Sequence, residues 1–322
     1  MHGVILDANS LGAGLDLTRL RGQLDDWDWH GRTAPQETAH RIREADVVIT
    51  NKVVLDADAF ATAPRLQLVC VAATGINNVD LDAAREHGVT VCNATGYGTP
   101  SVVQHTFALI LALATRLPDY QAAVRAGEWS RSLFFCLLDF PITELAGKTL
   151  GVIGYGTLGQ RVACIAHAFD MDVRVAARPG ATQIPADRIA VEDLLEQADV
   201  LTLHCPLTDA TRGLIGRAEL ERMKPDALLV NTARGGIVDE AALADALRAG
   251  VIGGAGMDVL AQEPPRDGSP LLADDIPNLI VTPHSAWGSR ASRQRLVDEV
   301  ADHIANFRAG RPGNVVAAPE GT

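Results

Sequence analysis

Lys148-Thr149-Leu150-Gly151-Val152-Ile153-Gly154-Tyr155-Gly156-Thr157-Leu158-Gly159 is the stretch that decides the fold of this 322-residue chain. Lys148 to Ile153 reads as a buried strand, and Gln160 to Phe169 has the small and apolar spacing of a helix packed on a sheet. The glycines therefore fall at a strand-to-helix turn. A dinucleotide's pyrophosphate needs three things there: a tight turn, close approach of the backbone, and a helix N-terminus whose N–H groups face the negative charge. A GxGxxG string alone is weak, but a strand before it and a helix after it supply the required context. Gly154, Gly156 and Gly159, with Thr157 and Leu158 between them, are thus candidate cofactor-binding residues.

Working outward, strand-like runs recur at Val173–Ala177, Val200–His204, Ala227–Thr232, Gly254–Val259 and Leu279–Thr282, with helical connections between them. Together with the first run they match a doubly wound dinucleotide sheet. Upstream, Val4–Leu6, Val47–Thr50, Leu68–Val71 and Val89–Cys92 are strand candidates, and Ala34–Glu44 and Leu81–His87 helix candidates, so the first hundred residues form a second α/β unit with a mainly parallel sheet. Residues 99–115 read as one strongly apolar, buried helix bridging the domains. Ser289 to Phe307 is an amphipathic helix that leaves the second sheet and returns to the first unit. The expected organisation is a substrate domain of residues 1–99 and 286–322 and a dinucleotide-binding domain of residues 100–285.

From Arg116 to Gly147 the regular alternation stops, and Trp129, Phe134, Phe135, Cys136, Leu137, Leu138 and Phe140 follow in quick succession. An exposed aromatic arm of this kind marks an interface, here a homodimer contact over 116–147, with folding back onto its own domain as the alternative.

Composition narrows the function classes. A hydrophobic fraction of 47% with 21% charged residues is ordinary for a globular protein, and the length suggests two domains, each with its own core. A formal net charge of −12 argues against nucleic acid or an anionic membrane as partner. The N-terminus reads as a strand and not as a signal peptide, and the most apolar segment, Phe107 to Ala114, falls well short of the ~20 residues of a membrane span. Cys70, Cys92, Cys136, Cys164 and Cys205 are scattered without metal-ligand spacing, which fits a reduced, cytoplasmic chain that holds no metal. Cys70, Cys92 and Cys205 are expected as core or lining residues.

Three polar residues sit just past apolar runs: Arg234 before Gly235-Gly236, Glu263 before Pro264-Pro265, and His284 in Thr282-Pro283-His284-Ser285. Each has a bland reading, respectively a loop cap, a solvated turn and a core histidine. Delivered together to the edge of one sheet, they suit anion binding plus proton transfer.

These residues together resemble the D-isomer-specific 2-hydroxyacid dehydrogenase family over nearly the whole chain. The likeness includes Ala73-Thr74-Gly75-Ile76-Asn77-Asn78-Val79-Asp80, His204-Cys205-Pro206-Leu207-Thr208 and Asn231 to Asp239. Tyr97 to His105 and Phe135 to Pro141 look most like the bacterial glycerate dehydrogenase, or hydroxypyruvate reductase, branch. The resemblance implies a Rossmann cofactor domain inserted into a discontinuous flavodoxin-like substrate domain. It makes His284 the general acid/base, Glu263 its orienting carboxylate and Arg234 the clamp on a substrate carboxylate. The chemistry agrees: reduction of a 2-keto acid needs a proton donor that reloads near neutral pH and a planar fork that fixes the carboxylate.

The backbone of Ala73, Thr74 and Gly75 resembles the family's second grip on the carboxylate, against the alternative of a plain turn. Asn51 and Lys52 are candidates for a substrate C3 hydroxyl, or else a solvated turn. His105 reads as a hydrogen-bonded buried residue and not a catalyst. By the same resemblance Asp258 holds the nicotinamide carboxamide, and His204, Cys205, Pro206, Thr211 and Ala233 line the cofactor. The departure is at the second strand, where an NAD-selective site carries an acid about 20 residues after the glycines. Ala177 and Arg178 stand there instead, so NADP is the expected preference with NAD usable.

The expected activity is interconversion of a small 2-keto acid and its D-2-hydroxy acid, with hydroxypyruvate/D-glycerate and glyoxylate/glycolate the leading pairs. Another D-2-hydroxyacid or phosphite dehydrogenase of the family, and a dinucleotide-sensing corepressor-like protein, are the alternatives.

Overall fold

In the computed structural model, which describes residues 1–319, the chain divides into two units. One comprises Met1–Gly98 and the chain from Gly288 onward, and the other Thr99–Trp287.

The first unit contains β1 (His2–Ile5), β2 (Asp26–Trp29), β3 (Val47–Thr50), β4 (Leu68–Val71) and β5 (Thr90–Asn93). The second contains β6 (Thr149–Ile153), β7 (Asp172–Val175), β8 (Val200–Leu203), β9 (Leu228–Asn231), β10 (Gly254–Met257) and β11 (Leu279–Val281). The chain then adds β12 (Val315–Ala317) to the first sheet, whose order is β12-β5-β4-β3-β1-β2. Its first five strands are parallel in the flavodoxin order, whereas β12 runs antiparallel to β5.

Two of these strands lie outside the sequence expectation. In β2, Asp26-Trp27-Asp28-Trp29 alternates acid and aromatic at a sheet edge and lacks the continuous apolar run that marks a strand buried on both faces, while β12, Val315-Val316-Ala317, is apolar but only three residues long at the opposite edge. The expected Ala34–Glu44 helix is a 3₁₀ turn at Pro35–Glu37 followed by Thr38–Ile42. A further short helix, Ala57–Ala61, starts where Asp56 accepts from the Ala59 N–H at 2.9 Å.

The second sheet has the order β11-β10-β9-β8-β6-β7, all parallel. A single parallel bridge between Ala176 and Ile189 extends it past β7, where the Rossmann order places a third strand. Between β6 and its neighbours β7 and β8 the winding reverses. That switch point, at the carboxyl ends of the strands, is where an open α/β sheet accepts a ligand.

The apolar helix spans Thr99–Ala114. Val103, Phe107, Ile110, Leu113 and Ala114 recur at helical spacing and pack on Leu150, Val152, Val200, Leu228 and Val230 of the second sheet. Burying a side chain of this size contributes about 1.5–3 kcal/mol, so the helix is tied to the sheet along its length. It ends at Ala114, and Arg116, two residues on, adopts a left-handed φ of 52°. Residues 116–147, where the regular strand and helix alternation stops, open with helices Leu117–Arg125 and Glu128–Arg131. Beyond them Leu133 is 95% exposed and Phe135 91%. Among the described residues, no helix is long and apolar enough to cross a membrane.

Candidate active site

β6 runs into the glycine turn, and the helix Thr157–Ala168 follows at once. Gly154 has a φ of 94°, and a Cβ there would sit 2.5 Å from the backbone of His204 and Cys205 at the end of β8. Only glycine allows both that dihedral and that approach. At Gly156, which precedes the first helical residue, a Cβ would meet nothing within 4 Å. Open space beside a helix N-terminus is what a phosphate pair needs, with Thr157 and Leu158 in the first turn and Gly159 buried beneath them.

His204 adds an independent sign of a ligand. Its Nε2 pairs with the Thr202 hydroxyl at 3.0 Å, while Nδ1 is the one buried side-chain polar atom without a hydrogen-bond partner among the described residues. Burial lowers its pKa to about 4, so the ring is neutral at physiological pH. Burial likewise raises the pKa of the neighbouring Cys205 thiol. Thr211 turns inward: its hydroxyl donates to Pro206 O at 2.6 Å and accepts from the Thr208 N–H at 2.7 Å, which braces the loop that follows β8. Ala177 is buried two residues past β7 with its N–H on Ile189 O, and Arg178 follows, exposed and without an ion pair among the described residues. These residues fit a dinucleotide.

Arg234, Glu263 and His284 follow β9, β10 and β11, which are adjacent in the sheet. Fully buried Asn231, at the end of β9, shapes the first loop: its Oδ1 accepts from the Ala233 N–H at 3.0 Å and its Nδ2 donates to Arg234 O at 2.9 Å. Sequence reading assigned Asn231 no role, although an Asn ending an apolar run just before a glycine pair is a turn signal. Arg234 is exposed, and its Nη1 donates to Ala233 O at 2.7 Å. At Gly235 a Cβ would lie 1.8 Å from Leu260 O, so the Arg234 loop rests directly on the backbone leading to Glu263.

Glu263 Oε1 accepts from the Leu260 N–H at 2.8 Å, and its Oε2 pairs with His284 Nδ1 at 2.6 Å. With Nδ1 committed to the carboxylate, Nε2 is the ring nitrogen left to exchange a proton. His284 holds a φ of 51°, a conformation unusual outside glycine, and its N–H bonds Asp258 O at 2.7 Å. Glu240, unremarked in the sequence, braces the Glu263 segment by accepting from the Ala261 N–H and the Ser269 hydroxyl.

Asp258, 1% exposed at the end of β10, accepts from the Thr282 hydroxyl at 2.6 Å and from the N–H groups of Ser285 and Ala286, both at 2.9 Å. Its carboxylate thus holds the turn that presents His284. His105 reaches Thr282 Oγ1 at 2.9 Å.

The remaining candidates belong to the other unit. Ala73, Thr74 and Gly75 follow β4; Asn93 Nδ2 donates to Thr74 O at 2.8 Å, the Thr74 hydroxyl donates to Ala94 O at 2.9 Å, and the Ala94 N–H donates to Ala73 O at 3.1 Å. These braces use the loop's carbonyls and hydroxyl, not its N–H groups. Asn51 and Lys52 follow β3 with their N–H groups on the Asp7 carboxylate, and buried Asn51 sends Nδ2 to Ser10 Oγ at 3.1 Å. Asp7 is a loop organiser that sequence reading missed.

Residues 107–286 match the family model for D-isomer specific 2-hydroxyacid dehydrogenase, NAD binding domain. The chain belongs to this family. A glycerate dehydrogenase of Methylorubrum extorquens is 44% identical over 316 residues, spanning 98% of each chain. A hydroxypyruvate reductase of Blautia hydrogenotrophica is 36% identical over 322 residues, spanning 98% of this chain and 99% of that one. Among solved structures, the NADPH-dependent glyoxylate/hydroxypyruvate reductase of Sinorhizobium meliloti with citrate superposes with a TM-score of 0.81 at 26% identity, covering 98% of this chain and 97% of that one. This dehydrogenase is therefore an oxidoreductase with a nicotinamide dinucleotide cofactor, in the branch whose relatives carry glycerate dehydrogenase and hydroxypyruvate reductase names.

Proposed function

We propose that this dehydrogenase reduces hydroxypyruvate or glyoxylate to D-glycerate or glycolate, and catalyses the reverse oxidation, with NADPH preferred over NADH. The observation that carries the reading is the 2.6 Å bond between Glu263 and His284 Nδ1 at the carboxyl end of the cofactor-domain sheet, with the Arg234 loop resting on the same backbone.

The bound nicotinamide supplies the hydride. Glu263 fixes the imidazole so that Nε2 of His284 delivers a proton to the keto oxygen, and retrieves it in the reverse direction. Arg234, with one of its five N–H groups spent on Ala233 O, offers the others to the substrate carboxylate as a planar fork. The N–H groups of Ala73, Thr74 and Gly75 are a second set of carboxylate donors, and Asn51 and Lys52 the candidates for a C3 hydroxyl. Asp258 Oδ2 and the unpaired Nδ1 of His204 are the polar atoms assigned to the cofactor, with Cys205, Pro206 and Ala233 as lining and Thr211 as the brace of that loop.

NADPH preference rests on Ala177, which brings no charge against a 2′-phosphate, and on exposed Arg178, which supplies a cation to pair with one. We further propose a homodimer formed through residues 116–147, on the strength of exposed Leu133, Phe134, Phe135 and Leu138. Cytoplasmic placement is proposed from five cysteines that are all free thiols.

Steady-state rates with hydroxypyruvate, glyoxylate and pyruvate, each with NADH and NADPH, and with phosphite, using NAD+ and NADP+, test the reading. His284→Ala is expected to lower kcat by ~10²–10⁴-fold with cofactor affinity kept. Arg234→Lys is expected to harm substrate KM and kcat together, because an ammonium lacks the fork. A wild type inactive on both keto acids, or a His284→Ala variant with normal turnover, overturns it.

A further inference from the structure

The apolar helix Thr99–Ala114 carries a polar edge that packing does not explain. Ser101 Oγ donates to Ala286 O at 2.7 Å, His105 Nε2 meets Thr282 Oγ1 at 2.9 Å, and Thr106 Oγ1 meets Thr232 Oγ1 at 3.0 Å. Thr232 lies two residues before Arg234, while Thr282 and Ala286 bracket His284. One helix therefore grips both loops that present Arg234 and His284.

The proton directions in this network are fixed. The Thr282 hydroxyl has a single proton, which goes to Asp258 Oδ1 at 2.6 Å, so its bond to His105 needs Nε2–H as donor. Asp258 in turn receives the N–H groups of Ser285 and Ala286. The chain His105, Thr282, Asp258, Ser285/Ala286 thus ends on the backbone just after His284, whose φ of 51° must be held by its surroundings.

We propose that His105 and Thr282 are positioning residues, setting the turn that aims His284 by orienting the Asp258 carboxylate. The proposal rests on the acid/base reading of His284. The Thr282 hydroxyl, as donor to Asp258 and acceptor from His105, locks that carboxylate to the helix, and the helix is locked to the sheet by its apolar face. Without the hydroxyl, Asp258 keeps the two backbone donors and the longer approach of His105 Nε2 at 3.5 Å but loses the short hydroxyl bridge to the helix, and the turn gains freedom.

The test combines Thr282→Val, His105→Phe and His105→Gln with two measurements. Hydrogen exchange of the 283–287 segment, followed by mass spectrometry, needs no substrate. Kinetics with hydroxypyruvate and NADPH, alongside cofactor Kd by fluorescence, read function. Thr282→Val and His105→Phe are expected to speed exchange of that segment by about tenfold without doing so elsewhere in the sheet. They should also lower kcat by about 10–100-fold, as a displacement near 1 Å does, while cofactor Kd stays within about twofold. His105→Gln, which keeps an N–H donor, should restore most of both.

Unchanged exchange and kcat in Thr282→Val overturns the proposal. So does faster exchange over the whole sheet that His105→Gln fails to restore, since that is a packing defect. If His105→Phe does not fold, Thr282→Val and His105→Gln decide the matter. A wild type without keto-acid activity would sink the functional reading instead, and the exchange data would still judge the brace.

Discussion

Gly235→Ala adds one methyl group where the structure has no room for it. The new Cβ would stand 1.8 Å from Leu260 O, 2.1 Å from Leu260 C and 2.6 Å from Ala261 N, where ordinary contact begins at 3.4 Å. All three are backbone atoms, so no side chain can turn aside, and the two segments must part by roughly 1.5 Å to restore van der Waals separation. Both segments carry the site. Arg234 immediately precedes the glycine, and the Leu260 N–H is the donor that holds Glu263 Oε1 at 2.8 Å. The methyl group therefore moves the guanidinium away from the Glu263–His284 pair. A displacement of about 1 Å can cost 10²-fold, so kcat/KM for hydroxypyruvate should fall by about that factor. Overpacking costs about 1–3 kcal/mol, which lowers Tm by roughly 2–12 °C for a domain of this size. Cofactor affinity, on the proposal that the β6 turn carries the pyrophosphate, should change little. Steady-state kinetics, thermal unfolding followed by circular dichroism and a fluorescence titration with NADPH measure the three quantities. An alanine variant with kcat/KM within threefold of wild type would refute the claim that this contact fixes the site.

Gly156→Ala is the converse case: its Cβ meets nothing within 4 Å, so Tm should hold while cofactor Kd rises at least tenfold by direct titration. The pH dependence of stability should carry a signature of His204. Its folded pKa of about 4 lies below the usual 6.5, so the unfolded chain takes up a proton first, and stability is lost as pH falls from about 6.5 towards 4. The loss approaches about 3 kcal/mol at 1.36 kcal/mol per unit. Urea unfolding at pH 7 and pH 4.5 should therefore show a smaller decline for His204→Asn than for wild type; equal declines would mean that the ring is not buried neutral. Phe135→Asp together with Leu133→Asp should convert a dimer to monomers in light scattering with kcat/KM little changed, and a wild type that is already monomeric excludes the arm as a dimer contact.

The positions of the chemistry could be read from sequence because buried parallel strands announce themselves. Leu228 to Val230 and Gly254 to Met257 are covered on both faces, so their composition is apolar throughout, and the polar residue that follows each, Asn231 or Asp258, marks a strand end. Edge strands escape this logic. β2 is half exposed, and its Asp26-Trp27-Asp28-Trp29 alternation has too little apolar content to stand out. The braces were invisible for a different reason: Asp7 to Lys52, His105 to Thr282 and Asp258 to Ala286 join residues far apart in the chain, through contacts that exist only once the sheet has brought them together.

Asp258 shows how a residue picked out by likeness acquires a second task from geometry. The family resemblance gives its carboxylate to the nicotinamide carboxamide. In the structure Oδ1 already accepts from Thr282 and Ser285, and Oδ2 from Ala286, so Oδ2 alone retains a clear acceptor position. A carboxylate so engaged in a buried site is costly to leave short of a donor, and the three that hold it are the residues flanking His284. Any group that binds at Oδ2 therefore pulls on the same atoms that hold the turn of His284. On the proposed roles Asp258 would join the cofactor to the proton donor, so replacing it should disturb both at once, whereas replacing Thr282 should disturb only the second.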